Sequence, residues 1–371
     1  MSTKELLAKF HEVASNPKAQ KDAYLAAGKK VVLTAPVYTP EEIIHSMGMV
    51  PMGAWGADIE LKEAKRYFPA FICSIMQSIL ELGMTGEYDG ASAIVIPSLC
   101  DSLKALGENW KYAVKGIPFI PMTYPQNRKP AYGVAYTKAG YERVIRDLEK
   151  ATGVTFDDAK LGESEKIYNE HNAVMREVVT VLAEHPEVTA AQRSDVFKSA
   201  FFMLKEEHTA LVKELIASLK GDQPGAAKKK IVTTGILADA PELLKIFDDN
   251  GLQIVRDDVA AESRQYRTDC KPNTTNLDSL AQKFADMDNC SVLYDVEKKR
   301  VQMIVNEAKE SGADGVVVVL TKFCDPEEFD YVLIKKACEA NEIPIILIEV
   351  DRQMANFEQA RTMVETFEDL L

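Results

Sequence analysis

Residues 29–53 and 229–255 are two copies of one pattern, KKVVLTAPVYTPEEIIHSMGMVPMG and KKIVTTGILADAPELLKIFDDNGLQIV. Each runs apolar strand, loop, Pro-Glu helix start, helix, turn and a further apolar segment. Residues 88–126 and 313–353 repeat in the same way: Asp89-Gly90 matches Asp314-Gly315, and each pair precedes an apolar strand and a Cys-Asp dipeptide. Gly116-Ile117-Pro118 then falls opposite Glu342-Ile343-Pro344, before another strand. Strands alternating with helices specify a parallel sheet covered on both faces. The repeat therefore predicts an α/β chain with two similar open parallel-sheet, Rossmann-like lobes.

Between the copies the strand signal disappears. Residues 163–185 and 190–220 place apolar side chains at helical spacing, as in Leu211, Val212, Leu215, Ile216 and Leu219. The segment GDQPGAAKKK that follows has the composition of a linker. The expected organisation is an N-terminal helical segment (1–27), a first lobe (28–139), a helical insertion (140–226) and a second lobe (227–371). At the first lobe's opening loop, Thr39 is the expected N-cap, Pro40 the first helical residue, and Glu41 and Glu42 the acids of the first turn.

The chain has six cysteines, none spaced as CxxC. In a long chain without a secretory signal they form no disulfide framework, and the compact zinc and ferredoxin spacings are missing. The repeat separates them. Cys100-Asp101 falls opposite Cys324-Asp325, each at the carboxyl end of a buried strand and just before a helix, with Asp325 the expected N-cap and Pro326 the first helical residue. Open α/β sheets bind ligands outside those strand ends. The helix dipole there favours a thiolate and so a metal ligand, the alternative being two similarly packed core residues. Cys73, in FPAFICSIMQSILELG near the start of an amphipathic helix, reads equally as a third ligand or as core. Cys338 and Cys290 read as structural. Cys270, in the loop YRTDCKPN, reads as exposed enough to reach a metal but without supporting neighbours. Three widely spaced cysteines suit an iron–sulfur cluster between the lobes better than zinc.

Other chemistry is excluded or weak. No GxxxxGK[ST], GxGxxG or GxSxG occurs, which argues against P-loop ATP hydrolysis, nicotinamide dehydrogenation and a hydrolase nucleophile elbow. Glu206-Glu207-His208 lacks the second histidine of a zincin helix, and His208 reads as a polar position on a solvated face. Asp257-Asp258 with Arg264 and Arg267 read either as crevice residues or as a solvated loop. Fifty-seven acids against forty-four Lys and Arg give a net charge of −13, unsuited to nucleic acid. No apolar run reaches the roughly 20 residues of a membrane span, and the polar amphipathic start is no secretory signal, so the expected location is cytoplasmic.

The segments PVYTPEEIIHSMGMVPMGAWG, YFPAFICSIMQSILELG, IPSLCDSLKALGENW, YPQNRK, FFMLKEEHTALVKELI and TKFCDPEEFDY together resemble the 2-hydroxyacyl-CoA dehydratase family, most closely its smaller (beta) subunit. The resemblance covers essentially the whole chain; benzoyl-CoA reductase subunits are similar at a greater distance. It implies a heterodimer with a larger (alpha) subunit that eliminates water from an (R)-2-hydroxyacyl-CoA to give a 2-enoyl-CoA, in anaerobic amino-acid fermentation. It also implies a 4Fe–4S cluster on Cys73, Cys100 and Cys324, an electron delivered by a separate ATP-hydrolysing activator, and in some members flavin (FMN) in the assembled enzyme. The electron is needed because the C3 hydrogen of the thioester is not acidic; a ketyl radical anion expels the 2-hydroxyl and leaves a radical whose C3 proton is. The family's substrate sits at the partner's cluster, so this chain's cluster relays or stores the electron. Tyr38, Glu42, Asp258 and Arg264 remain as crevice candidates. A subunit of a related CoA-thioester reductase, another electron-transfer iron–sulfur protein, and a metal-free two-lobed binding protein are the alternatives.

Overall fold

The computed structural model describes all residues from Met1 to Leu371. Two four-stranded parallel sheets carry the fold. The first contains β1 (Val31–Thr34), β2 (Val50–Gly53), β3 (Ala93–Pro97) and β4 (Phe119–Met122) in the order β2-β1-β3-β4. The second contains β5 (Lys229–Gly235), β6 (Leu252–Val259), β7 (Gly315–Thr321) and β8 (Ile345–Val350) in the matching order β6-β5-β7-β8. The repeat read in the sequence is thus a repeat of topology. Runs such as VVLT, AIVIP and GVVVVLT are buried along their whole length because helices cover both faces.

In the first lobe the helix Glu41–Ser46 lays Ile43 and Ile44 on one sheet face, with Val32, Val95 and Ile120. The helices Ser74–Met84 and Asp101–Ala113 lay Ile75, Ile79, Leu103 and Trp110 on the other, with Leu33, Ile94 and Ile96. Each such side chain contributes roughly 1.5–3 kcal/mol of burial. Trp110 also satisfies its indole N–H on the Ile117 carbonyl at 2.9 Å. The chain changes faces between β1 and β3, which opens a crevice at their carboxyl ends. The second lobe changes faces between β5 and β7, where its helices Pro241–Asp249 and Asp325–Ala340 pack on opposite sides. The strands approach closely there. A Cβ on Gly235 would stand 2.2 Å from the Val319 carbonyl oxygen, and its φ of 155° favours glycine.

The helices Thr3–Ser15, Asp158–Ala183, Ala190–Ser199 and Lys205–Leu219 form a separate core around Phe10, Met175, Val178, Phe197 and Leu215. The periodic stretch 190–220 is therefore two helices. Gly53 N–H donates to the Phe201 carbonyl (2.8 Å) and Lys205 Nζ to that of Ala200 (2.6 Å). The first carbonyl is claimed by a strand of the first lobe and the second by a side chain of the next helix, and the helix stops. Residues 223–228 have no regular structure, as the linker composition indicates.

The two halves interlock. The helix Asn276–Asp286 and the turn after it, through Leu277, Phe284, Cys290 and Leu293, pack against the first lobe. Arg128, almost fully buried, donates to the carbonyls of Met287 and Tyr294 and to Asp288. Two helix starts differ from expectation by one residue. Pro40, not Thr39, is the N-cap of Glu41–Ser46, because the Thr39 hydroxyl turns back to the Ala35 carbonyl (2.8 Å). Cys324, not Asp325, is the N-cap of its helix, its carbonyl accepting from both Glu327 and Glu328 N–H. No helix is long and apolar enough to cross a membrane.

Candidate functional site

Three cysteines occupy one kind of position. Cys73, Cys100 and Cys324 are the N-cap residues of the helices Ser74–Met84, Asp101–Ala113 and Asp325–Ala340. Two belong to the first lobe and one to the second, and all three border the same apolar cluster with Ile72, Ile75 and Leu103. Their thiols act on one another: Cys100 raises Cys73, and both Cys73 and Cys100 raise Cys324. The seam between the lobes thus receives three sulfurs and the positive ends of three helices.

Burial dominates their ionisation. It pushes Cys73 up to about 12, raises Cys100, and holds Cys324 well above the ordinary thiol value. Backbone N–H groups of Ile75 and Met76 at Cys73, of Leu103 and Ser102 at Cys100, and of Glu327 at Cys324 act in the opposite direction and lose. The dipole argument alone predicted thiolates; in this apolar seam desolvation outweighs it. Protons must therefore leave when a metal binds. No three His, Cys, Asp or Glu side chains stand close enough to hold a single ion. A cubane makes no such demand, because each cysteine takes a different iron. Three thiols, each at a helix N-cap, are the donor type such a cluster takes.

The four crevice candidates divide. Tyr38 and Glu42 line a cavity of about 70 Å³ between the first lobe, the helical region and the helix Asn276–Asp286. Glu42 is already paired there with Lys283 at 2.6 Å. Asp258 and Arg264 line no crevice, which corrects the sequence expectation. Both are sealed in an ionic lattice with Arg267, Arg300, Glu327 and Asp330 beneath the first turn of the Cys324 helix. Arg264 reaches Glu327 at 3.1 Å and Arg300 reaches it at 2.7 Å, while Ser291 donates to it at 2.7 Å. A short charged stretch looks the same whether it faces solvent or its own partners.

Cys270 is buried rather than exposed, packed with Leu277 and Leu280, its backbone held by Asn169. Cys338 is fully buried in the second lobe's core and Cys290 lies under Arg264. His208 is also fully buried, not solvated. Its Nε2 lies 2.9 Å from the Val196 carbonyl and its Nδ1 3.0 Å from His171 Nε2.

The family model described as 2-hydroxyglutaryl-CoA dehydratase, D-component, matches residues 36–371. The chain belongs to that family. Among relatives of this dehydratase component, the (R)-phenyllactyl-CoA dehydratase beta subunit of Clostridium sporogenes is 46% identical, covering 98% of this chain and 97% of its own. The lactoyl-CoA dehydratase subunit beta of Anaerotignum propionicum is 43% identical over 99% and 98%. The (R)-2-hydroxyglutaryl-CoA dehydratase subunit beta of Acidaminococcus fermentans is 38% identical over the full length of both. In this member of the dehydratase family, the residues that sequence reasoning missed at the seam are Arg352 and Ser74. Arg352 lies two residues past the end of β8, so the strand-end rule that singled out Cys100 and Cys324 could have found it.

Proposed function

We propose that this chain is the iron–sulfur-carrying smaller subunit of an (R)-2-hydroxyacyl-CoA dehydratase, a hydro-lyase working as a heterodimer with a larger subunit. The observation that carries the reading is the convergence of Cys73, Cys100 and Cys324 at three helix N-caps of two facing lobes. Family membership and full-length similarity to three dehydratase beta subunits support it.

A 4Fe–4S cluster held by the three cysteines would supply one-electron chemistry, passing or storing the electron from an ATP-dependent activator that drives ketyl-radical dehydration. This chain's own residues do the rest. The N-terminal N–H groups of three helices lie at the sulfurs and would favour their charged form once metal displaces the protons. Ile72, Ile75 and Leu103 give the seam an apolar wall beside the three cysteines. The net charge of −13 makes this chain a poor host for a polyanionic coenzyme A. The partner subunit is accordingly assigned most of the thioester.

Iron and acid-labile sulfide on anaerobically purified protein test this directly. About four irons per chain are expected. Cys73→Ser, Cys100→Ser and Cys324→Ser should each lose most of that iron, whereas Cys338→Ser should keep it. A colourless, iron-free wild-type chain would sink the proposal. Activator-dependent dehydration of a panel of 2-hydroxyacyl-CoA thioesters with the copurified partner tests the reaction; failure across the panel, with iron present, would favour a reductase subunit.

A further inference from the structure

Two cysteines of the seam come from one lobe and the third from the other, so the distance between lobes must be fixed for all three to serve one site. Arg352 is placed to fix it. It follows β8 in the second lobe and is 6% exposed. Its guanidinium crosses the seam, with Nη1 3.0 Å from Asp58 and 3.0 Å from Asp239, and Nη2 3.4 Å from the Trp55 carbonyl. Asp58 and Trp55 belong to the first lobe and Asp239 to the loop after β5.

The main chain ties the same residue to both sets of cysteines. Arg352 N–H donates to Ser74 Oγ at 3.1 Å, the residue beside Cys73. On the other side, Lys322 N–H in the Cys324 turn donates to the Val350 carbonyl at 2.9 Å, at the end of β8. Asp239 is itself buried, and the adjacent Arg352 and Lys198 overcome the effect of burial and keep its carboxyl well below the usual range. A buried fork shared by two carboxylates and a carbonyl is rigid in a way that a lysine's point charge is not.

We infer that Arg352 is the positioning residue that latches the lobes and sets Cys324 at its distance from Cys73 and Cys100. The inference rests on the cluster reading above, and the latch has its own readout. In the full-length chain, purified without oxygen, Arg352→Gln removes the fork, Arg352→Lys keeps only the charge, and Asp58→Asn removes one half-exposed partner with little risk to folding. Hydrogen exchange measured by mass spectrometry should speed up about tenfold or more in Arg352→Gln across residues 55–58, 74–77 and 237–240, with less change in Arg352→Lys and Asp58→Asn. Iron per chain should drop at least twofold in Arg352→Gln, with partial rescue in Arg352→Lys. The electron paramagnetic resonance spectrum of the reduced protein should also change shape in whatever cluster remains. Wild-type exchange at those segments in both Arg352→Gln and Asp58→Asn overturns the latch. Faster exchange with wild-type iron content and an unchanged spectrum overturns the positioning role. An iron-free wild-type chain overturns the cluster reading instead, and the exchange comparison still decides the latch.

Discussion

Asp258 is held by three guanidiniums: Arg264 Nη2 at 3.1 Å, Arg267 Nη1 at 2.7 Å and Arg300 Nε at 2.6 Å, with Thr234 donating at 3.0 Å. Burial alone would raise its pKa, but the three arginines prevail and hold it well below the usual carboxylate range. A lattice of this kind need not outperform apolar packing; what it cannot tolerate is the loss of one member. Asp258→Asn leaves buried guanidiniums short of a countercharge and should cost about 3–5 kcal/mol in denaturant melts. The pH dependence has a fixed sign. A carboxylate with a depressed folded pKa stabilises above its unfolded value, and that contribution is lost as pH falls below about 4. The wild type should therefore lose stability in that window more steeply than Asp258→Asn; parallel acid profiles would refute the assignment. The residue identities were legible in the sequence, but their burial was not. Asp257-Asp258 and Arg264 could be read as crevice or surface because the partners Thr234, Arg300 and Glu327 are distant along the chain. His208 was misjudged for the same reason: its partner His171 lies on another helix.

Element boundaries follow local chemistry until a distant group competes for the same hydrogen bond. The strands were legible because VVLT, AIVI and VVVVL are apolar runs rich in β-branched residues, and the repeat showed that the two lobes share one pattern; the pairing order came only with the structure. The Cys100 and Cys324 N-caps lie within one residue of where the pattern placed the helix starts. The helix Ala190–Ser199 shows local control clearly: Thr189 Oγ1 accepts from Gln192 N–H (3.1 Å) while Gln192 Oε1 accepts from Thr189 N–H (3.0 Å). This reciprocal box is worth about 1 kcal/mol. Thr189→Ala should lower stability by about that amount, read from the denaturant midpoint at unchanged slope; an unchanged midpoint would mean the turn is set by Ala190 N–H on Asp248 instead. The end of the same helix was not legible. Phe201 and Lys205 are ordinary members of a helical pattern, and only the approach of Gly53 and the use of the Ala200 carbonyl break it.

At the scale of the whole molecule, the two lobes share apolar cores and are further tied by polar contacts: Arg352 on Asp58 across the seam, Arg128 on the turn 287–294, and the buried Lys283–Glu42 pair. A cluster on Cys73, Cys100 and Cys324 would add a further tie, closing a loop of chain that includes the entire helical region. Closing so long a loop restricts the unfolded chain strongly, and a metal group that binds only the folded seam adds its binding free energy to folding. At about a thousandfold over its dissociation constant such a group stabilises by roughly 4 kcal/mol, enough for a clear rise in Tm. Loading also has to displace protons from thiols that burial keeps protonated, so the stabilisation should grow with pH across the neutral range. Anaerobic calorimetry of the loaded chain, before and after oxidative removal of iron, measures the difference. The loaded form should melt higher, the gap should widen from pH 6.5 to 8, and the Cys73→Ser/Cys100→Ser/Cys324→Ser chain should melt with the iron-free form under either treatment. Equal melting temperatures for loaded and stripped protein would mean that the lobes are held by their side-chain ties alone and that the three cysteines carry no structural bond between them.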